Sequence, residues 1–310
     1  MPTASSTTQT EIRIDASARA PVLLLLGSAV LWLVLGGTFA LISSIQLHTP
    51  DFLADCSFLT YGHMQAAQET ALTYGWAINA GLGVALWLLA RLGGLPLHAM
   101  YLALVGAVFW NVAVTLGVVG ILAGGMTGFT LLQPPADVQP LMFITYAAIA
   151  AIGVLAWTGR RVPFVFATQY YAVAALFVFP WIFSVVQVLL LFTPVHGTLQ
   201  SIVAAWFGQG LSTLVLGSFA LAAVYYLLPK ISGRLINHYE YAPHAFWALF
   251  VVGGWAGGRH LIGGPVPAWI VTTGIIASLL LLFHYVVVAI NLAGIFSPRG
   301  SNVLRFAAVG

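Results

Sequence analysis

The sequence predicts an all-α polytopic membrane protein, a bundle of about eight transmembrane helices. Hydrophobic residues make up 61% of the 310 residues and charged residues only 5%. In an ordinary soluble domain, about a quarter of the residues are charged. Mean hydropathy is +1.00, and apolar runs of roughly 20 residues, the length that crosses a hydrocarbon core, recur along the chain. These observations exclude an ordinary soluble domain.

Each predicted span is an apolar run between segments of turn-forming or charged residues. The predicted spans cover residues 21–46, 63–91, 96–123, 138–158, 166–192, 198–229, 242–262 and 266–294. No repeat of fixed period and no long linker separates them, so we expect one transmembrane domain over residues 21–298, with tails at 1–20 and 299–310. Cys56 is the only cysteine, which excludes a disulfide within the chain and a cysteine-rich metal site.

The basic residues predict the orientation. An even number of spans places both termini on one side, and short loops rich in Lys and Arg stay cytoplasmic. Only Arg259 falls on the side away from the termini. The side of the termini carries Arg13, Arg19, Arg91, Arg160, Arg161, Lys230, Arg234, Arg299 and Arg305. We therefore expect a multi-pass protein of the cell inner membrane with both tails cytoplasmic. The lipid bilayer is its first partner, and no basic patch suggests nucleic acid.

Polar side chains within the spans are the candidate functional residues, because such groups are costly in a membrane and usually face the bundle interior or a cavity. The second span begins with His63, Gln68 and Glu69, the sixth carries Gln209, and the seventh ends near Arg259 and His260. These three helices are expected to bring their polar groups to one outer-leaflet region. The predicted buried polar pocket consists of Gln68, Glu69, Gln209, Arg259 and His260.

Glu69 and Arg259 are candidates for an ion pair in that pocket, provided that both charges are fully hydrogen-bonded. The structural alternative is that these polar groups only bond neighbouring helices. Both interpretations remain open at the level of the sequence.

Motifs along the second, sixth and seventh spans carry a family resemblance. They are YGHMQAAQETALTYGW at 61–76, WFGQG at 206–210, YYLLPK at 225–230, HAFWAL at 244–249 and WAGGRHL at 255–261. With these motifs the chain resembles the catalytic subunit I of cbb(3)-type cytochrome c oxidases, within the heme-copper oxidase superfamily. The resemblance implies that the eight spans correspond to the first eight helices of that subunit, which has about twelve.

The resemblance also implies ligand positions that lack histidine in this chain. The position of the helix 2 heme ligand is Gln68, that of the first copper ligand is Gln209, and the pair of adjacent copper ligands reads Arg259-His260. The position of the redox tyrosine is Gly253. A carboxamide is a poor heme ligand, a guanidinium beside copper repels the metal, and one histidine cannot hold it.

We therefore expect a cofactor-depleted structural or assembly subunit of a respiratory or electron-transfer complex, which is not catalytic by itself. The implied partners are other membrane subunits, including ones that contain cytochrome c. One open alternative is a heme-binding subunit in cytochrome c oxidase or nitric oxide reductase activity, with heme b and copper, using His63 or His260. Another is a proton or small-molecule conducting protein in which Glu69 titrates.

Overall fold

A computed structural model describes residues 4–53 and 55–295, with side chains from residue 9 onward. This part of the chain is helical and has no strand, which confirms the predicted all-α membrane bundle. The α-helices are α1 (Ala4–His48), α2 (Tyr61–Gly93), α3 (Met100–Leu122), α4 (Gln139–Thr158), α5 (Ala167–Phe192), α6 (Thr198–Ser232), α7 (Ala242–Val252) and α8 (Ala268–Leu292). Residues 1–3 and 299–310 of the predicted tails lie outside the described residues.

Seven of these helices are long and apolar enough to cross a membrane, and α7 is the exception. The predicted span 242–262 is not one continuous helix: α7 has 11 residues, and a 3₁₀-helix at Trp255–Leu261 follows it. Gly253 and Gly254 separate the two pieces, and glycine disfavours the helix interior. At about 1.5 Å per α-helical and about 2.0 Å per 3₁₀ residue, the pieces together extend about 30 Å. The broken segment therefore still matches the thickness of a hydrocarbon core.

The chain divides into two compact units. The first comprises Met1–Val162 and Phe183–Thr193, and the second comprises Pro163–Ile182 and Pro194–Gly310. In the first unit, α1 packs along α2, and α3 packs against both α1 and α4. In the second unit, α8 packs against α7 and the 3₁₀-helix, which also contacts the first half of α6.

The interior of the first unit contains a polar cluster of Trp32, Asn79 and Asn111. The two asparagine amides bond each other reciprocally, at 3.2 Å in both directions. Trp32 Nε1 donates to Asn111 Oδ1 at 3.0 Å. These bonds join α1, α2 and α3 inside the membrane, where an unsatisfied polar group is costly.

The predicted N-terminal tail is helical from Ala4 and continuous with α1. Its two acidic residues are fastened to α2: Arg91 bonds Glu11 at 2.9 Å and Asp15 at 2.6 Å. Trp87 Nε1 also donates to Asp15 Oδ1, at 3.1 Å. The tail is thus attached to the membrane domain at the C-terminal end of α2, near Arg91.

Three of the long helices contain a π-helical stretch: α2 at Ala71–Ile78, α5 at Val188–Phe192 and α6 at Gly210–Leu216. A π-helix inserts extra backbone into an α-helix and occurs frequently at functional sites. The stretches in α2 and α6 begin directly beyond the candidate positions Glu69 and Gln209.

Candidate functional site

In the first unit, Gln68 and Glu69 are both half-buried and both hydrogen-bonded. Gln68 Oε1 accepts a bond from Ser43 Oγ on α1, at 3.2 Å. The Glu69 carboxylate accepts a bond from Gln133 Nε2. The side chain at the implied heme-ligand position is therefore already engaged by a neighbouring helix.

Gln133 was not predicted as a site residue, because it lies in the turn-rich segment between α3 and α4. The structure turns this segment inward: Pro134 and Pro135 pack on Gly117 and Gly120 of α3. A Cβ on Gly120 would collide with Pro135, and one on Gly117 would lie 3.3 Å from Pro134. As a result, Gln133 is only 8% exposed. Residue types alone do not show that these two prolines lie against the two glycines of α3.

The polar groups around Glu69 are not all satisfied. Thr70 Oγ1 and Gln133 Oε1 are buried without a hydrogen-bond partner among the described residues. His63 lies nearer the start of α2, about one and a half turns before Gln68. It is half-buried, and its Nδ1 lies 3.0 Å from the carbonyl oxygen of Ser57.

In the second unit, Gln209 and Arg259 bond to neighbouring groups while His260 is exposed. Gln209 is 7% exposed, and its Nε2 donates to Thr213 Oγ1 at 2.6 Å. The half-buried Arg259 donates through Nη1 to the carbonyl oxygen of Ala256 at 2.9 Å and to Ser278 Oγ at 3.2 Å. The side chain of His260 lies at the surface of this unit, and its place in the predicted pocket stays a prediction.

The 3₁₀-helix lies directly against α6 at Gln209. A Cβ on Gly257 would lie 2.9 Å from Gln209 Cβ and 2.6 Å from the carbonyl oxygen of Ala205. Not even a methyl group fits between the two backbones at this point. At the implied tyrosine position, a Cβ on Gly253 would collide with the carbonyl oxygen of Leu249 and lie 2.9 Å from Leu214 Cδ2.

The predicted pocket residues are divided between the two units. Gln68 and Glu69 belong to the first, and Gln209, Arg259 and His260 belong to the second. Their shared pocket and the ion pair of Glu69 with Arg259 stay predictions. Within residues 4–53 and 55–295, no group of three or more His, Cys, Asp or Glu side chains is arranged to hold a metal ion.

A further buried histidine lies on α8. His284 is 1% exposed, and its Nδ1 lies 2.7 Å from the carbonyl oxygen of Ala245 at the start of α7. The sequence offered no partner for it, because a backbone acceptor cannot be identified from residue types. Together with the bond of Arg259 to Ser278, this contact shows that α7 and the 3₁₀-helix run antiparallel to α8.

The family model described as Cytochrome C and Quinol oxidase polypeptide I matches residues 20–309. A "Cytochrome c oxidase subunit 1 homolog" of Agrobacterium tumefaciens (strain T37) is 24% identical over 82% of this chain and 48% of its own length. The "Cbb3-type cytochrome c oxidase subunit CcoN1" of Stutzerimonas stutzeri is 23% identical over 82% and 55%, respectively. A "Cytochrome c oxidase subunit 1 homolog" of Azorhizobium caulinodans is 24% identical over 82% and 47%.

The chain thus spans about half the length of the curated relatives that it matches. The family match, in contrast, covers nearly the whole chain, including both candidate positions on α2 and the three in the second unit. This confirms the resemblance drawn from the motifs. The chain belongs to the cytochrome c and quinol oxidase polypeptide I family, the subunit I family of the heme-copper oxidases.

Proposed function

We propose that this chain is a cofactor-depleted structural or assembly subunit of a respiratory or electron-transfer complex in the inner membrane. One observation carries the proposal. The side chains at three of the four implied ligand positions, Gln68, Gln209 and Arg259, are not imidazoles and are each bonded to a neighbour in their own unit. The family scaffold is kept, while the donors that would hold its metals are absent from these positions.

The heme-ligand position does not fit iron. Heme iron in this family takes imidazole, and the carboxamide of Gln68 is a weak, neutral donor. Its oxygen, the only atom of the amide that could approach a metal, already accepts the bond from Ser43. Breaking that bond would leave a hydroxyl in the membrane with one interaction fewer, at a cost of about 1 kcal/mol.

The copper position fits no better. Copper prefers imidazole nitrogen, whereas Arg259 is always charged and has no lone pair to offer. His260 is the one imidazole of the three positions, and it is exposed. The contact of Gly257 with Gln209 also leaves no space between the 3₁₀-helix and α6 at the level of the first ligand position.

A subunit without cofactors still offers a large apolar surface to membrane partners. The exposed side chains of α8 include Ile275, Leu279, Leu282 and Phe283. Their family context suggests other subunits of an oxidase-like complex as partners, including ones that contain cytochrome c. In the proposed orientation, both tails lie in the cytoplasm.

The test is a reduced-minus-oxidised visible spectrum with metal analysis, first on the protein purified with its partners and then on the full chain alone. We expect heme only in the preparation that contains partners, and no stoichiometric iron or copper in the isolated chain, because three of its four ligand positions lack imidazole donors. A Soret band with one iron per isolated chain would overturn the proposal in favour of a heme-binding subunit that uses His63 or His260. Recovery of the chain without any other subunit would contradict the structural role.

A variant that restores the missing histidines separates the two proposed reasons why copper does not bind, which are the lack of imidazole donors and the close packing of Gly257 on Gln209. The double variant Gln209→His/Arg259→His restores histidine at two copper-ligand positions, so that with His260 all three positions carry imidazole. We expect no stoichiometric copper, because Gly257 still packs against position 209. One copper per chain in this variant would contradict the packing argument and leave the missing donors as the whole cause.

A further inference from the structure

A groove of about 600 Å³ lies between α1 and α2 where α1 enters the predicted membrane span. Its apolar part is formed by Val22, Leu23, Leu26 and Val84, and its polar end by Asp15, Arg19 and Trp87. The apolar residues belong to the predicted hydrocarbon region, and Arg19 lies just before it. The groove therefore has an apolar part within the membrane and a polar end at its surface, where one carboxylate and one guanidinium line it.

The charged groups near the polar end differ in whether they form ion pairs. Glu11 and Asp15 are both occupied by Arg91. Arg13 and Arg19 are exposed and form no ion pair with any described residue. Of the two charged residues that line the groove, Asp15 is thus already paired with Arg91, and the Arg19 guanidinium has no ionic partner among the described residues.

Trp87 marks the depth of this end. Tryptophan is enriched at the level of lipid headgroups, where its ring is buried and its N–H is bonded to a polar group. Here the N–H donates to Asp15, and the ring forms one wall of the groove. The headgroup level therefore lies near Asp15, and Arg19 follows about one helical turn further along α1.

We propose that this groove binds one anionic glycerophospholipid of the membrane, with its phosphate at Arg19 and an acyl chain along Val22, Leu26 and Val84. A guanidinium binds phosphate through charge-assisted hydrogen bonds, and each basic residue near an anionic bilayer surface contributes measurably to lipid attraction. The apolar part of the groove selects a lipid rather than free phosphate, because it provides contacts that only an acyl chain can make. The bound lipid would bridge α1 and α2 beside the Arg91 ion pairs.

The experiment measures lipid binding to the full chain in nanodiscs and in detergent. Native mass spectrometry counts the lipids retained from phosphatidylglycerol and, in parallel, from phosphatidylcholine. We expect one retained phosphatidylglycerol and about five-fold weaker binding in Arg19→Gln, the factor for one basic residue. Arg13→Gln is the matched control, because it removes the same charge from the same helix but lies outside the groove.

A second pair of variants tests the apolar part. Val22→Trp fills the groove and should abolish retention of the lipid, whereas Val30→Trp places the same ring on an exposed position of α1 and should not. Brominated phosphatidylglycerol should also quench the tryptophan fluorescence of Trp87, which is measured as the difference between the wild-type chain and Trp87→Phe. The proposal would be overturned if Arg19→Gln and Arg13→Gln weakened binding equally, or if the two tryptophan variants retained the lipid equally. Equal binding of the two lipids, or no quenching by the brominated lipid, would also overturn it.

Discussion

Histidine, glutamine and arginine make different demands on a membrane interior. An imidazole that binds a metal gives up its acceptor nitrogen, whereas a glutamine needs donors and acceptors from protein groups, and an arginine must keep its charge solvated. Ser43, Thr213 and Ser278 supply hydroxyl groups to Gln68, Gln209 and Arg259, respectively. Each implied ligand position that lacks histidine is thus hydrogen-bonded to one serine or threonine hydroxyl group.

Gly253 provides a test at the scale of one residue. Gly253→Ala should destabilise the chain by about 1–3 kcal/mol, the usual cost of overpacking, because its Cβ collides with the Leu249 carbonyl oxygen and approaches Leu214. Gly254→Ala is the control, since its Cβ would meet Leu214 Cδ1 at an ordinary 3.4 Å. Thermal unfolding in detergent measures both. Equal melting temperatures for the two variants would contradict this packing argument, because position 253 would then tolerate a Cβ as well as position 254 does.

The sequence identified the candidate positions Gln68 and Gln209 but few of their partners. Gln68 and Gln209 stood out because polar residues are rare in apolar runs and because the family motifs pass through them. Gln133 did not, since glutamine between prolines is typical of a solvated turn. Its burial depends on the packing of Pro134 and Pro135 against α3, which only the tertiary structure reveals.

At the scale of helices, two irregular elements accompany the candidate positions. The π-helical stretches of α2 and α6 begin two residues after Glu69 and one residue after Gln209. Each π-helical stretch rotates the helical turns after it relative to the turns before it. It therefore determines on which side of the helix the polar residue lies relative to the rest of the span. Hydrophobic periodicity cannot predict such a stretch in a span that is apolar on all sides.

The asparagine pair of α2 and α3 offers a test of helix packing. Asn79→Leu should leave Asn111 without its reciprocal partner. Asn111→Leu should also leave Trp32 Nε1 without an acceptor. We expect each single change to cost about 1 kcal/mol, within the range for hydrogen bonds between membrane helices. The double variant should cost about 0.5–1 kcal/mol less than the sum.

Unfolding by SDS in mixed micelles measures this cycle. Thr115→Val serves as the control, because its hydroxyl bonds only to Asn111 O of its own helix, and we expect a cost below about 0.5 kcal/mol. Strictly additive costs of the two asparagine changes would refute the reciprocal bond. In that case the polar cluster would consist of independent contacts to each helix's own backbone.

At the scale of the whole molecule, the prediction of the spans rested on run length, and it succeeded for seven of eight. The span at 242–262 differed because its two central glycines end α7, and a 3₁₀-helix replaces the missing turns. The polar groups of Arg259 and the glycines of this segment contact α6 and α8 at short range. Composition alone shows that this segment is apolar, but the break in its helix depends on that packing.

Orientation is the remaining property of the whole chain, and the single cysteine tests it. Cys56 is a free thiol in the connection between α1 and α2, which the distribution of basic residues predicts to lie on the outer side of the membrane. A membrane-impermeant maleimide should therefore label the wild-type chain in intact spheroplasts. Cys56→Ser/Leu235→Cys is the matched variant, because Leu235 is 90% exposed in the connection between α6 and α7 on the predicted cytoplasmic side. It should react only after the membrane is permeabilised. The reverse pattern would invert the topology, and with it the side of the membrane to which the proposed lipid groove and the Arg91 ion pairs belong.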